Sequence, residues 1–119
     1  MSNFPSPQRG EIWLVQFAPA QGRELTNPHP AIILSRDDVG VLPLRVVAPI
    51  TTFQERFAKV PWMITIDATK TNGLRHKSTI DCFQPRSFDV SRFLEKWGNV
   101  TPEQIELIAR TVAQTLGAQ

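Results

Sequence analysis

Residues 9–37 constrain the fold more than any other stretch, because they hold two apolar strands separated by a long polar loop. In the first strand Ile12 and Leu14 point to one side, whereas Trp13 and Val15 point to the other, since side chains alternate along an extended backbone. Both faces are apolar and need to be covered. Such a strand suits a small closed β-barrel whose outer face meets another element or another subunit.

The loop from Ala18 to Pro30 is the stretch most suited to function. Loops on a rigid scaffold often hold binding and catalytic residues. Four residues, Pro19, Gly22, Pro28 and Pro30, shape its backbone, because the prolines restrict φ and the glycine permits a tight turn. Its polar side chains are those of Arg23, Glu24, Thr26, Asn27 and His29.

Size and charge bound the class of protein. A chain of 119 residues is predicted to be one domain, residues 1–119. Thirteen Lys and Arg against eleven Asp and Glu give a net charge of +2, which permits a polyanionic partner without requiring one. A single cysteine, Cys82, excludes an internal disulfide, and no Cys/His set has zinc spacing. We therefore expect no metal and no cofactor.

The N-terminal sequence lacks a targeting signal. Residues 1–8 carry two prolines and no periodicity, which predicts a loose leader rather than a signal peptide. No apolar stretch in the chain is long enough to span a membrane. These features predict a cytoplasmic protein with no membrane partner.

Further short strands follow the second one. Pro49 lacks an amide N–H, so it is expected at a strand end or an edge. The Asn72-Gly73 pair predicts a turn, and the basic run 75–77 after it is interpreted as solvated. The strands are predicted at 31–35, 42–51, 60–67, 78–83 and 95–100, with a helical turn at 89–94.

The C-terminal residues predict an amphipathic helix. Thr101 is suited to the N-cap, Pro102 to the first helical position and Gln104 to a capping box, while Gly117 lies where the helix would end. An apolar stripe at spacings of three and four is expected to pack on the barrel; it comprises Ile105, Ile108, Ala109, Val112 and Leu116.

Three blocks in register resemble the MazF/PemK family of toxin endoribonucleases. They are Arg9-Gly10-Glu11 with Pro19, Gly22, Glu24 and Pro30-Ala31; then VVAPIT at 46–51; then Gln84, Arg86 and Ser87. The resemblance implies an SH3-like β-barrel with a C-terminal helix. It also implies cleavage of single-stranded mRNA by 2′-hydroxyl attack without a cofactor, as the toxin of a toxin–antitoxin pair.

The same resemblance suggests the site residues. The family uses a threonine that ends the VxxIT strand, here Thr51, and an arginine before Pro-Ala, a position occupied here by His29. Histidine changes charge near neutral pH and can act as an acid or a base. These two are the predicted catalytic residues. The predicted substrate-binding residues are Arg23, Glu24, Thr52, Gln84 and Arg86.

Other interpretations of these residues stay open at this stage. Pro28-His29-Pro30 can be a stiff surface turn, in which case Arg23 or Arg86 supplies the missing charge. Thr51 can be an ordinary strand-end threonine. Phe83 can stack on a base or fill the core, and the core is favoured here.

A rival function and the expected partners complete the prediction. The rival is a non-catalytic RNA-binding module or a gyrase-targeting relative on the same barrel, which leaves DNA binding open. The exposed apolar faces of a small barrel predict a homodimer with Trp13 or Trp62 at its seam. An antitoxin is expected to lay an acidic, disordered tail over a basic groove near Arg23, Arg75 and Lys77.

Overall fold

Antiparallel strands followed by one α-helix make up the part of the chain that the computed structural model describes, residues 6–17 and 28–119. The predicted mainly-β class with a C-terminal helix is confirmed. The elements are β1 (Glu11–Val15), β2 (His29–Ile33), β3 (Leu44–Thr52), β4 (Met63–Ile66), β5 (Ser78–Asp81), β6 (Arg86–Asp89), β7 (Phe93–Asn99) and α1 (Pro102–Thr115), with 3-10 turns at Glu55–Phe57 and Val90–Arg92.

β3 organises the sheet because it has different partners along its length. The strand order is β4-β5-β3-β2-β1-β7, and β6 pairs with the first half of β3. Leu44 to Val47 pair with β6, whereas Ile50 to Thr52 pair with β5. The two halves of β3 therefore belong to different parts of the sheet. The second half ends at the surface, where Thr51 and Thr52 are exposed.

Two apolar clusters lie on opposite faces of β1, as the alternation in the sequence predicts. Ile12 belongs to the cluster beneath α1, and Trp13 and Val15 belong to the other, which Phe88 and Phe93 cover. The outer face of β1 is thus covered by other strands of the same chain. Trp13 is only 9% exposed, so its placement at a dimer seam is wrong.

Pro49 corrects the expectation for β3, because it lies inside the strand opposite Ala31 rather than at an end. The carbonyl of Val46 accepts a bond from the amide of Leu34 on the β2 side. Backbone groups point to alternate sides, so the imino nitrogen of Pro49 points away from β2. On that side pairing with β6 has ended at Val47 and pairing with β5 begins at Ile50, so the missing N–H removes no ladder bond.

The predicted capping box of α1 is confirmed. The Thr101 hydroxyl accepts from the amide of Gln104 at 3.1 Å, and the Gln104 side chain accepts from the amide of Thr101 at 2.9 Å. Gly117 has φ +89 just beyond the helix, as expected of a glycine at its end. The stripe packs on the barrel through Ile105, Ile108 and Val112, but Leu116 is 77% exposed.

Three other expectations need correction. Residues 6–8 of the predicted loose leader are held in place: Pro7 is buried, its carbonyl accepts from Arg45, and the amide of Gln8 donates to Glu11. β2 starts at His29, so the predicted loop ends earlier than Pro30. The strand predicted at 78–83 stops at Asp81, and Arg86 begins a further strand, β6, that was not predicted. Within the described residues, no helix combines the length and apolarity needed to cross a membrane.

Candidate RNA-cleaving site

The predicted catalytic residues meet at one end of the β2–β3 pair. His29 is the first residue of β2, and Thr51 and Thr52 are the last two of β3. The strands run antiparallel with Ala31 opposite Pro49, so the start of β2 lies beside the end of β3. All three side chains are exposed and line one cavity of about 260 Å³. Its other lining residues are Pro30, Ile50, Leu74, Arg75, His76, Ser78 and Trp97.

The turn at 67–74 brings Arg75 and His76 to the cavity, and Asn72 holds that turn. Asn72 is 2% exposed; its Oδ1 accepts from the amides of Thr69 and Leu74, both at 3.0 Å, and its Nδ2 donates to the carbonyl of Asp67 at 2.9 Å. Gly73 follows with φ +72. The predicted Asn72-Gly73 turn is confirmed, and its interior is a hydrogen-bonded structure rather than a loose loop.

Two glycines let this turn pack directly on β7. A Cβ on Gly73 would lie 2.2 Å from the carbonyl oxygen of Trp97, and one on Gly98 would lie 2.2 Å from that of Thr71. The amide of Asn99 also donates to the Thr71 carbonyl at 2.9 Å. This backbone docking fixes Arg75 and His76 relative to the strands.

A second cavity, of about 370 Å³, shares Thr51 with the first and contains Gln84. Asp81 orients Gln84, because its carboxylate accepts from Gln84 Nε2 at 2.7 Å and from the amide of Phe83 at 3.0 Å. Asp81 therefore caps the turn after β5. Pro49, Phe57 and Met63 line the remaining wall.

Arg86 reaches the same neighbourhood through aromatic contacts. Its guanidinium lies 5.0 Å from the ring centre of Phe88 and 5.6 Å from that of Phe17. The Phe17 ring meets the His29 ring edge-on at 6.0 Å between centres. Arg86 and His29 therefore both contact the ring of Phe17.

The site carries uncompensated positive charge. In the part of the chain that the structure describes, no carboxylate forms an ion pair with Arg75, His76, Arg86 or His29. All three residues of the basic run 75–77 are exposed, as predicted, and Lys77 also lies 4.5 Å from the ring centre of Phe53. Such a surface favours an anionic ligand.

Metal-based chemistry has no donor set here among residues 6–17 and 28–119, where no group of three or more His, Cys, Asp or Glu could hold an ion. Cys82 is buried behind β5. Burial, with a smaller contribution from Asp81, raises the pKa of this thiol to about 12. The thiol therefore stays protonated and unreactive at neutral pH.

Not every predicted site residue falls within the described structure. Arg23 and Glu24 lie outside the described residues. Thr52 lines the first cavity and Gln84 lines the second. Arg86 contacts the ring of Phe17, which His29 also meets. The core interpretation of Phe83 is wrong: the residue is 56% exposed and packs edge-on against Trp62 at 5.3 Å. Sequence reasoning assigned no site role to His76, Trp97 or Phe17.

The profile of the PemK-like, MazF-like toxins of type II toxin–antitoxin systems matches residues 8–116. The chain belongs to this family. It is 33% identical over 105 residues to the protein named endoribonuclease MazF9 from Mycobacterium tuberculosis, covering 82% of this chain and 86% of that protein. It is 29% identical over 103 residues to endoribonuclease EndoA from Bacillus subtilis, covering 85% and 86% of the two chains.

Solved structures share the fold of this PemK/MazF toxin. MazF from Deinococcus radiodurans superposes with a TM-score of 0.74 at 23% identity, over 95% of this chain and 98% of that one. A mycobacterial endoribonuclease in complex with its cognate antitoxin gives 0.72 at 16% identity, over 96% of both chains. The chain therefore has the fold of the solved MazF structures, as the resemblance implied.

The Arg-Gly-Glu block that opens the family resemblance has a structural use in this PemK/MazF toxin. The guanidinium of Arg9 donates to the carbonyl of Leu34 and lies 3.4 Å from Glu106 of α1. Gly10 has φ +86, and its carbonyl accepts from the amide of Val100 at 3.0 Å. The block joins the start of the chain to the helix, away from the cavities.

Proposed function

We propose that this chain is the toxin of a type II toxin–antitoxin pair and cleaves single-stranded mRNA at specific sequences without a metal ion. The observation that carries the proposal is the cavity that His29, Thr51 and Thr52 line together with Arg75. Several relatives of the chain bear the name endoribonuclease, which favours an enzyme over the non-catalytic alternative. The cytoplasm, where mRNA is accessible, is the proposed location.

The proposed reaction is attack of a ribose 2′-hydroxyl on the adjacent phosphorus, which leaves a 2′,3′-cyclic phosphate and a 5′-hydroxyl. It needs a base for the 2′-hydroxyl proton, an acid for the leaving 5′-oxygen and donors for the charge on phosphorus. His29 is suited to one of the proton transfers because an imidazole changes charge between pH 5 and 8. The Thr51 hydroxyl can donate to a phosphate oxygen, while Arg75 and Arg86 supply positive charge.

Incubation of the purified protein with labelled RNA in a chelator tests this function. The parent should cut the RNA, and His29→Ala should lose about 10²- to 10⁴-fold in rate, as expected for an acid–base group. Thr51→Ala should lose less, because it removes one neutral donor. Arg110→Ala, which removes a positive charge from the exposed face of α1, is the matched control and should keep the parent rate. A parent that never cuts RNA contradicts the proposal.

A homodimer is the proposed assembly. Val46 and Leu116, 38% and 77% exposed, adjoin an apolar cavity of about 280 Å³ that Leu34, Ala109 and Val112 also line. Covering this patch would remove apolar surface from water. Trp62, 38% exposed, remains a second candidate for the seam. Light scattering should show a dimer at micromolar concentration that Leu116→Asp weakens; a monomeric parent contradicts the assembly.

An antitoxin with an acidic, disordered tail is the proposed protein partner. Arg75 at the cavity wall offers the tail a cation for charge-assisted hydrogen bonds, and the tail is expected to reach Lys77 and Arg23 as well. Antitoxin affinity should fall with added salt and fall further in Arg75→Glu. Unchanged affinity in that variant would place the tail elsewhere.

A further inference from the structure

The two histidines of the sequence, His29 and His76, line the same cavity although 46 positions separate them along the chain. His29 comes from the start of β2, and His76 comes from the segment between the Asn72-Gly73 turn and β5. Both side chains are exposed at the mouth. Thr51 and Thr52, which end β3, line the same cavity. Two independent elements thus deliver an imidazole each to one site.

The elements that hold His76 do so through its backbone. Its carbonyl accepts a 2.8 Å hydrogen bond from the Ser78 hydroxyl, and β5 begins two residues later. The preceding turn is fixed on β7 by the Gly73 and Gly98 approaches. Within the described part of the chain, the fold positions His76 through its backbone and leaves its imidazole free to meet a ligand in the cavity.

A metal-free transphosphorylation needs two proton-transfer groups, and the cavity has two groups of the suitable type. Arg75 stays protonated, and a threonine hydroxyl is a weak acid and a weak base near pH 7. Imidazole serves in either role because both its protonated and neutral forms are accessible between pH 5 and 8. We propose that His76 is a catalytic residue and forms with His29 the acid–base couple that cleaves RNA. This inference rests on the proposed function.

The step balances with these two groups alone. The neutral imidazole takes the proton of the 2′-hydroxyl as the bond from O2′ to phosphorus forms. The bond from phosphorus to O5′ breaks, and the protonated imidazole of the other histidine gives its proton to O5′. The products are a 2′,3′-cyclic phosphate and a 5′-hydroxyl. Exchange of one proton with water restores each histidine to its starting form.

The charged groups around the couple are few among the described residues. Arg75 comes from the same segment as His76 and lines the cavity. Lys77 is directed to the Phe53 ring, and Arg86 contacts the ring of Phe17, which His29 also meets. On β7, Trp97 lines the wall, and the neighbouring Lys96 is paired with Glu11 at 2.9 Å. Among residues 6–17 and 28–119, no carboxylate lines this cavity.

The pH dependence of kcat/KM for a defined RNA in chelator separates a catalytic His76 from a structural one. The parent should give a bell-shaped profile, its acid limb from the base and its alkaline limb from the acid. His76→Gln should lose about 10²- to 10⁴-fold in rate and one limb of the profile, and His29→Gln should lose the opposite limb. Lys70→Gln, which removes a positive charge from the same turn outside the cavity, should keep both limbs.

A substrate with sulfur in place of the leaving 5′-oxygen identifies the acid, because a thiolate leaves without being protonated. We expect this substrate to restore the rate of only one of the two histidine variants. Rescue of both or of neither contradicts the couple. His76→Gln with a parent-like rate and both limbs overturns the inference but leaves the proposed function intact, whereas a parent that does not cleave RNA overturns both.

Discussion

Glu11 shows how one carboxylate joins separate parts of the chain. Its Oε1 accepts from the amide of Gln8 and from Trp13 Nε1, both at 2.8 Å, and its Oε2 lies 2.9 Å from Lys96 Nζ on β7. Burial alone would raise the pKa of Glu11, but the hydrogen bonds from Trp13 and Gln8 and the charge of Lys96 outweigh it. The pKa of Glu11 is therefore held below its ordinary value of 4.5.

Replacing this carboxylate should destabilise the fold in a pH-dependent way. Because the pKa of Glu11 is depressed on folding, its stabilisation is present above pH 4.5 and is lost as the pH falls through the folded-state pKa. Glu11→Gln should lower the free energy of unfolding at pH 7 by about 1–3 kcal/mol, the range for hydrogen bonds to charged groups. Urea unfolding of the parent and the variant, at pH 7 and below pH 4, measures this difference in the free energy of unfolding.

The difference in the free energy of unfolding between Glu11→Gln and the parent should shrink as the pH falls below 4.5. Glu95→Gln, at an exposed glutamate on β7, is the control and should change stability by less than about 0.5 kcal/mol at either pH. A gap for Glu11→Gln that is the same at both pH values would show that the ionised carboxylate is not what stabilises the fold.

Single residues mark where sequence reasoning stops. His29 and Thr51 could be singled out because they fall in motifs that match the family, and the structure places both at one cavity. His76 could not, since its neighbours in sequence indicate only a basic turn, and its link to His29 depends on the long-range docking of that turn. Phe83 was misjudged because alternation predicts which face a side chain takes and not whether another element covers that face.

The turn at 67–74 is the element whose position the site depends on. Asn72 fills its interior, and Gly73 brings its backbone against the carbonyl of Trp97. Arg75 and His76 follow directly. A shift of this turn would move both side chains relative to His29 and Thr51, and misplacement by about 1 Å can lower a rate about 10²-fold.

Comparing Gly73→Ala with a second glycine variant should distinguish the effect of close packing on β7 from the effect of backbone strain alone. The left-handed conformation at φ +72 costs an alanine about 1–2 kcal/mol. The added methyl would also meet the Trp97 carbonyl at 2.2 Å, so the turn has to move. Gly40→Ala is the matched control: its φ of +65 is similar, and nothing lies within 4 Å of the added Cβ.

We expect both glycine variants to lose stability, and only Gly73→Ala to lose RNA cleavage beyond what its unfolded fraction explains. Thermal unfolding and cleavage assays on the same samples give the two quantities. Equal effects of the two substitutions would mean that close packing of the turn on β7 does not position the site.

Elements with local signals were predicted well, and elements with long-range causes were not. The capping box of α1 lies within four consecutive residues, so the sequence alone indicates it. β6 was missed because Pro85 and the short interval after β5 suggested the end of one strand rather than the start of another. Pro49 was misplaced because the change of partner along β3 is set by β5 and β6, both distant in sequence.

At the scale of the whole molecule, the strands that pair with β3 determine which residues meet at the site. The end of this strand carries Thr51 into two cavities at once, one with His29 and His76 and one with Gln84. The family resemblance predicted the fold and part of this set of residues. The wall of the second cavity and the contact of Arg86 with Phe17 arise only when distant segments pack.

The central claim is that the chain cleaves RNA by attack of the substrate's own 2′-hydroxyl, with side chains and no metal performing the proton transfers. The most direct measurement compares a cleaved RNA with the same strand carrying a single 2′-deoxyribose at the mapped cut site, both in excess chelator. Our account predicts that the all-ribose strand is cut to a 2′,3′-cyclic phosphate while the deoxy strand stays intact at that position. Cleavage of the deoxy strand there, or loss of all cleavage in chelator, would contradict it.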